Sequence, residues 1–144
     1  MTEKNKNREI SAAVKAVEKF WNFFIKAEYE RALELFAPGA KIYWPCTREV
    51  FDDAADFIKV NRDYPGSHKI SLDNIIQAEN TVITTVLVES VFDKKSDPMF
   101  FRAVSIFTLD GGLITGLTEY WAEETEPPEW RVKSGLTRII GRAE

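Results

Sequence analysis

Between Ile10 and Ala27, the apolar residues Ala13, Val14, Val17, Phe20, Trp21, Phe24 and Ile25 recur in steps of three and four. That spacing puts them on one stripe of a helix. Glu28 to Phe36 repeats the pattern with Tyr29, Ala32, Leu33 and Phe36, and Pro38 with Gly39 is expected to end this second helix. Lys41 to Cys46 is β-prone but contains Pro45, which predicts a short edge strand or a strand entering a bend. A third helix, capped by Asp52 or Asp53, carries Ala55, Phe57, Ile58 and Val60 and stops before Tyr64, Pro65 and Gly66. The period then changes from helical to alternating. Ile70–Ala78, Val82–Phe92, Met99–Leu109 and Leu113–Ala122 are rich in Val, Ile, Thr and Phe, and turn residues such as Asp110, Gly111 and Gly112 separate them. Three helices followed by a run of strands predict an α+β fold, with the helices packed on a curved, mainly antiparallel sheet.

Alternation also assigns faces. Pairing Leu109 with Leu113 puts Glu119 opposite Ala103, Leu117 opposite Ser105 and Thr115 opposite Phe107. Pairing Phe92 with Met99 puts Val88 opposite Ala103 and Val86 opposite Ser105. One face then consists of Val86, Val88, Ala103, Phe107, Leu117 and Trp121, with a single carboxylate, Glu119, among them. The other face sets Glu89 against Arg102, beside Val104, Ile106 and Tyr120. A one-residue slip in the last hairpin would instead pair Arg102 with Glu119 and turn the carboxylate into half of a salt bridge.

The chain has 144 residues, enough for one ordinary domain. Residues 1–9 are expected to fray, 10–131 to form the domain, and 132–144 to make a tail whose Leu136, Ile139 and Ile140 need covering. A net charge of −4 gives no electrostatic footprint for nucleic acid or an anionic membrane surface. One Cys and one His exclude a disulfide framework, a multi-cysteine zinc site and a two-histidine metal site. There is no glycine-rich phosphate loop, so no cofactor is expected. No apolar run has signal-peptide character or the length of a membrane span, and the expected compartment is the cytoplasm.

Leu35–Phe36–Ala37–Pro38, Asn61 to Gly66, Asp110–Gly111–Gly112–Leu113–Ile114 and Glu119–Tyr120–Trp121–Ala122–Glu123, with Pro128, Trp130 and Arg131 downstream, together resemble one family. It is the nuclear transport factor 2-like superfamily, in its SnoaL-like group related to polyketide cyclases and ketosteroid isomerases. The resemblance runs from the first helix to Arg131 and implies a cone-shaped α+β barrel. Activity is left open, because the superfamily holds isomerases, cyclases, epoxide hydrolases, dehydratases and pure binding modules. The ketosteroid isomerase residues do not carry over. Its general-base aspartate falls at Trp44 before Pro45, its oxyanion-hole tyrosine at Phe20, and its neutral aspartic acid near Ser105. SnoaL-like cyclases are similar in carrying an acidic base on a late strand, close to Glu119.

Glu119 is therefore the leading catalytic candidate, since desolvation raises a carboxylate's pKa toward the range useful for proton transfer. Its alternative is a structural pairing with Arg102 or Asn61. Asn61 is the second candidate, holding a substrate oxygen or orienting Glu119, and its alternative is a helix-end cap. Trp44 and Trp121, with Tyr64, Val88, Ala103, Ser105 and Leu117, are the expected pocket lining, and Trp21 joins them or stays in the core. Cys46 reads as a small buried hydrophobe, and His68 as a loop residue or an acid–base group at the cavity mouth. The expected partners are a small apolar organic ligand and a second copy of the chain, which would cover the outer sheet face at Val104, Ile106 and Tyr120. The competing functional classes are an enzyme (isomerase, cyclase, dehydratase or hydrolase), a non-catalytic ligand-binding domain, and an assembly module.

Overall fold

The computed structural model describes residues 3–142. The chain forms α1 (Glu3–Ile25), α2 (Tyr29–Ala32), a 3-10 turn (Leu33–Leu35), β1 (Phe36–Trp44), β2 (Glu49–Phe51), α3 (Ala54–Arg62), β3 (Ser67–Ala78), β4 (Thr81–Val91), β5 (Met99–Asp110), β6 (Leu113–Glu123) and α4 (Glu129–Lys133). The strands make one curved, open sheet in the order β2-β1-β6-β5-β4-β3. β3 to β6 form the expected antiparallel meander, while β1 runs parallel to β6 and antiparallel to β2. Among the described residues the architecture is α+β, with four helices and a six-stranded sheet.

α1 buries the stripe its spacing predicts: Ala13, Ala16, Val17, Phe20, Trp21 and Phe24. It ends in a Schellman motif, in which the Glu28 amide donates to the Phe23 carbonyl and the Ala27 amide to the Phe24 carbonyl. Ala27 takes the left-handed conformation there, with φ of 57°. Phe20 stacks on Phe24 at 4.3 Å and meets Phe107 edge-on at 5.1 Å, fixing the helix to the inner face of the sheet. α3 is capped by Asp53, whose carboxylate accepts from the Ala55 amide at 2.9 Å, and it adds Phe57 and Ile58 to the same core.

Several boundaries differ from the sequence reading. α1 begins at Glu3, so residues 3–9 of the segment expected to fray lie in its first turns; residues 1–2 lie outside the described residues. The second helix is only one α turn and one 3-10 turn. Pro38 and Gly39 do not end it. They sit within β1, where the pairing with β6 shifts between Phe36 and Lys41 and absorbs a proline and a left-handed glycine. β1 is an inner strand, since β2 forms the edge beyond it. The expected Glu89–Arg102 pair does not form: Glu89 stands opposite Phe100 and Arg102 opposite Leu87. Arg102 instead donates to Glu124 at 2.9 Å and to Asp73 at 3.4 Å; Asp73 marks a bulge in β3 that turns its carboxylate toward the outer face.

The outer face and the tail remain largely open. Val104 and Tyr120 are exposed, as are Trp130, Ile139 and Ile140, and Leu136 is 88% exposed. Residues 143–144 of the expected tail lie outside the described residues. The tail nonetheless touches its own domain at Arg142, whose guanidinium lies 3.5 Å from the Phe100 ring centroid and donates to Glu124 at 2.7 Å.

Candidate functional site

The site depends on a register that departs from the sequence expectation twice and still keeps its faces. Across the Gly111–Gly112 turn, Asp110 pairs with Leu113 and Leu109 with Ile114, one residue off the expected alignment. That slip alone would have turned Glu119 outward. A bulge then interposes Thr115, so Thr108 pairs with Gly116 and Ser105 with Glu119, restoring the parity. The bulge is held by the Thr115 hydroxyl, which donates to the Thr108 carbonyl at 3.1 Å. Glycine lies beside it, where a Cβ on residue 116 would come within 2.8 Å of the Thr108 hydroxyl and force that side chain to turn away. On the other hairpin, Ala103 pairs with Val86 rather than Val88, a shift of two residues that changes partners but not faces.

The inner face is therefore built in rows. The deepest holds Leu117, Phe107 and Val82; the next holds Glu119, Ser105 and Thr84; then come Trp121, Ala103 and Val86, then Phe101, Val88 and Ile70, and last Ser90 with His68. The deepest row is filled by α1 and belongs to the core. Above it, α1 and α3 leave a cavity of about 400 Å³, a volume suited to a small organic ligand. Trp21, Phe24, Tyr29 and Trp44 wall one side, and Val86, Val88, Phe101, Ala103 and Trp121 the other; Thr47, Glu49, Asn61, Tyr64, His68, Ile70 and Ser90 complete the lining, and Glu119 lines the polar row. Burial raises the Tyr29 phenol above its ordinary pKa.

Glu119 is 8% exposed. Its Oε2 accepts from the Ser105 hydroxyl at 2.6 Å and its Oε1 from the Trp44 indole N–H at 3.1 Å. Among the described residues no cation pairs with it. Desolvation pushes its pKa above the usual carboxylate range, and the Ser105 and then the Trp44 hydrogen bonds oppose this by stabilising the anion. Each oxygen thus has one fixed donor and an unused lone pair. The group can take a proton from a neighbouring molecule and return it, with Ser105 and Trp44 holding the carboxylate in place.

Of the residues expected at the site, Glu119, Asn61, Trp44, Tyr64, Val88, Ala103 and Trp121 all line the cavity. Two do not. Leu117 is 2% exposed in the core one row deeper, and Ser105 lies fully buried behind Glu119, where it supports the carboxylate rather than facing a ligand. The suggested Asn61–Glu119 pairing is absent: the Asn61 amide donates to the Phe57 carbonyl at 2.9 Å, one helical turn back. The other N–H and the carbonyl of its amide group have no partner among the described residues. Cys46 is exposed rather than buried, and its thiol donates to the Trp121 carbonyl at 3.3 Å. Two features escaped the sequence reading. The Trp21 indole donates to the buried Thr84 hydroxyl at 3.0 Å, and His68 and Ser90, 22 residues apart in sequence, are cross-strand partners 2.7 Å apart. Period-two alternation through Val82, Thr84, Val86, Val88 and Ser90 is the signal that could have put Ser90 on the inner face; only the register brings it to His68.

Among the described residues no group of three His, Cys, Asp or Glu side chains is placed to hold a metal ion. No helix among them is long and apolar enough to cross a membrane.

Solved structures share this fold. A protein of Kribbella flavida provisionally named as a ketosteroid isomerase superposes with a TM-score of 0.76 at 19% identity, over 93% of this chain and 94% of that one. An LEH-like epoxide hydrolase from M. tuberculosis gives 0.67 at 16% identity, over 79% and 85% of the two chains. A SnoaL-like polyketide cyclase structure from Jannaschia, its function likewise provisional, gives 0.69 at 13% identity, over 78% and 87%. At these identities the likeness is one of fold. Comparison with curated protein sequences finds no match. The family model for the SnoaL-like domain matches residues 17–117, from the helix stripe to the row beneath Glu119, and the chain belongs to that family.

Proposed function

We propose that this protein is an enzyme that moves a proton on a small, largely apolar carbonyl compound, with Glu119 as the acid–base group and no cofactor. The observation that carries the reading is a buried carboxylate at the polar end of an apolar cavity, held by two neutral donors and, among the described residues, by no cation. A structural acid at that depth would call for a cationic partner to offset its desolvation. In the proposed step the Glu119 carboxylate removes a proton from the carbon next to the carbonyl, and the C–H electron pair moves into the developing enolate. The protonated Glu119 then returns the proton to the same or a neighbouring carbon, so atoms and charge balance. Asn61, with one amide N–H left after bonding Phe57, supplies the contact to the enolate oxygen, and Tyr64 stands at the rim. Trp44, Trp121, Val88 and Ala103 hold the apolar body and keep water from the base. Isomerisation, cyclisation and dehydration all begin with such a proton transfer.

Deuterium incorporation next to the carbonyl, followed by NMR over a panel of cyclic and open-chain ketones in D2O, tests the reading. The wild-type protein should accelerate exchange for at least one class of ketone, and Glu119→Gln should lower that rate about 10²- to 10⁴-fold. Exchange that is undiminished in Glu119→Gln would contradict the role of Glu119. Tight binding of ketones with no exchange in the wild type would favour a ligand-binding domain instead.

A further inference from the structure

The cavity has a second polar end. Ser90 is 2% exposed yet lines the cavity, and its hydroxyl lies 2.7 Å from Nδ1 of His68 on the facing strand. The other ring nitrogen, Nε2, lies 3.0 Å from the Pro65 carbonyl oxygen. A carbonyl only accepts, so Nε2 carries the hydrogen; in the neutral ring Nδ1 is then the acceptor and takes the Ser90 hydrogen. The ring is locked in this orientation. Tyr64 and Phe92 pack edge-on against it at 5.4 and 5.8 Å. The Pro65 carbonyl is fixed by the adjoining turn, where a Cβ on Gly66 would lie 2.7 Å from the Val91 carbonyl.

The single Ser90 hydrogen is therefore committed to His68, and what Ser90 offers the cavity is oxygen lone pairs. We propose that His68 and Ser90 form a second binding subsite that accepts a hydrogen bond from a ligand hydroxyl, so that the molecule the cavity selects is an elongated hydroxy ketone. This deepens the proton-transfer reading and rests on it, since the carbonyl end is the one placed at Glu119. The separation fits a two-ended ligand. Thr84, in the Glu119 row, and Ser90 are six residues apart on one strand of the curved sheet, so their rows lie at most roughly 20 Å apart. Between them the rows hold Val86, Val88, Ala103, Phe101 and Trp121, all lining the cavity and all apolar. A bound hydroxyl there would extend a chain of hydrogen bonds from ligand to Ser90, to His68, to Pro65, each group donating in turn.

The test measures binding rather than turnover. A series of ω-hydroxy methyl ketones of increasing length, each matched with the methyl ketone that lacks the hydroxyl, is titrated against the protein. Quenching of the cavity tryptophans reports occupancy. At the matching length the hydroxy ketone should bind about three- to tenfold more tightly than its partner. Ser90→Ala should abolish that preference. Equal affinities in the wild type at every length, or a preference that survives in Ser90→Ala, would overturn the subsite. His68→Phe frees the Ser90 hydrogen and serves also if Ser90→Ala does not fold. In it a diketone, which only accepts at the far end, should gain on the hydroxy ketone, and an unchanged order would count against the proposal. The two readings fail differently. If ketones exchange deuterium but the series shows no hydroxyl preference or does not bind, only the subsite is lost; if no ketone exchanges, the proton-transfer reading itself is contradicted and the subsite falls with it.

Discussion

Arg102 on β5 and Glu119 on β6 lie on opposite faces of the sheet, only a few residues apart in register, and the two have opposite surroundings. On the outer face Arg102 is half-exposed and meets two carboxylates, Glu124 and Asp73. On the inner face Glu119 is almost wholly removed from water and meets a hydroxyl and an indole N–H. Solvent and neighbouring charge already satisfy the outer group, so its ion pairs contribute little. The inner group has given up hydration for two neutral hydrogen bonds and responds by holding its proton more strongly. Charge alone does not set a residue apart in this sheet; what distinguishes Glu119 is burial with no counter-ion among the described residues.

Four substitutions separate the two faces. The largest expected effect is the loss of carbonyl-directed exchange in Glu119→Gln. The same assay on Arg102→Gln should return the wild-type rate, and a comparable loss there would erase the distinction between the faces. Next, Ser105→Ala removes the stronger of the two donors that stabilise the Glu119 anion. It should cost about 1.5–3 kcal/mol at neutral pH by chemical denaturation, the usual range for a buried hydrogen bond to a charged group. Because exchange needs the ionised carboxylate, the limb of its pH–rate profile that rises with pH should also move further up. An unmoved limb would mean that another group sets the profile. The smallest effect belongs to Arg102→Ala, which should change stability by no more than about 1 kcal/mol, less in high salt.

The inner and outer faces were legible in the sequence because side-chain direction in a strand has period two, and valine, threonine and isoleucine alternate clearly along β4 to β6. The partners were not legible. Which residue stands opposite Glu119 depends on the bulge at Thr115, a backbone event that threonine and glycine permit but that no alternation announces. The faces survived because both departures summed to an even number of residues. Glu89 and Arg102 also kept their face but lost each other, and Arg102 found carboxylates brought in by a bulge and by the chain after β6. Trp44 was expected as an aromatic wall, yet its indole N–H on Glu119 follows from the parallel pairing of β1 with β6, which Pro38 and Gly39 concealed by resembling a helix stop. His68 and Ser90 were invisible as a pair for the same reason, since only strand register joins them.

That Glu119 is a buried acid with no cation beside it among the described residues is tested most directly by the unfolding free energy of the wild type and of Glu119→Gln measured across pH. A carboxyl whose folded pKa lies above its unfolded value favours the folded state fully below the unfolded pKa; that contribution is lost as pH rises to the folded pKa. Wild-type stability relative to the variant should therefore fall through that window and level off above it. The glutamine side chain in Glu119→Gln would keep Trp44 as a donor to its oxygen and present its amide hydrogens to Ser105, so the variant should be the more stable protein at neutral pH. A variant clearly less stable at neutral pH, with the wild type gaining on it as pH rises, would identify Glu119 as a structural acid and contradict the claim.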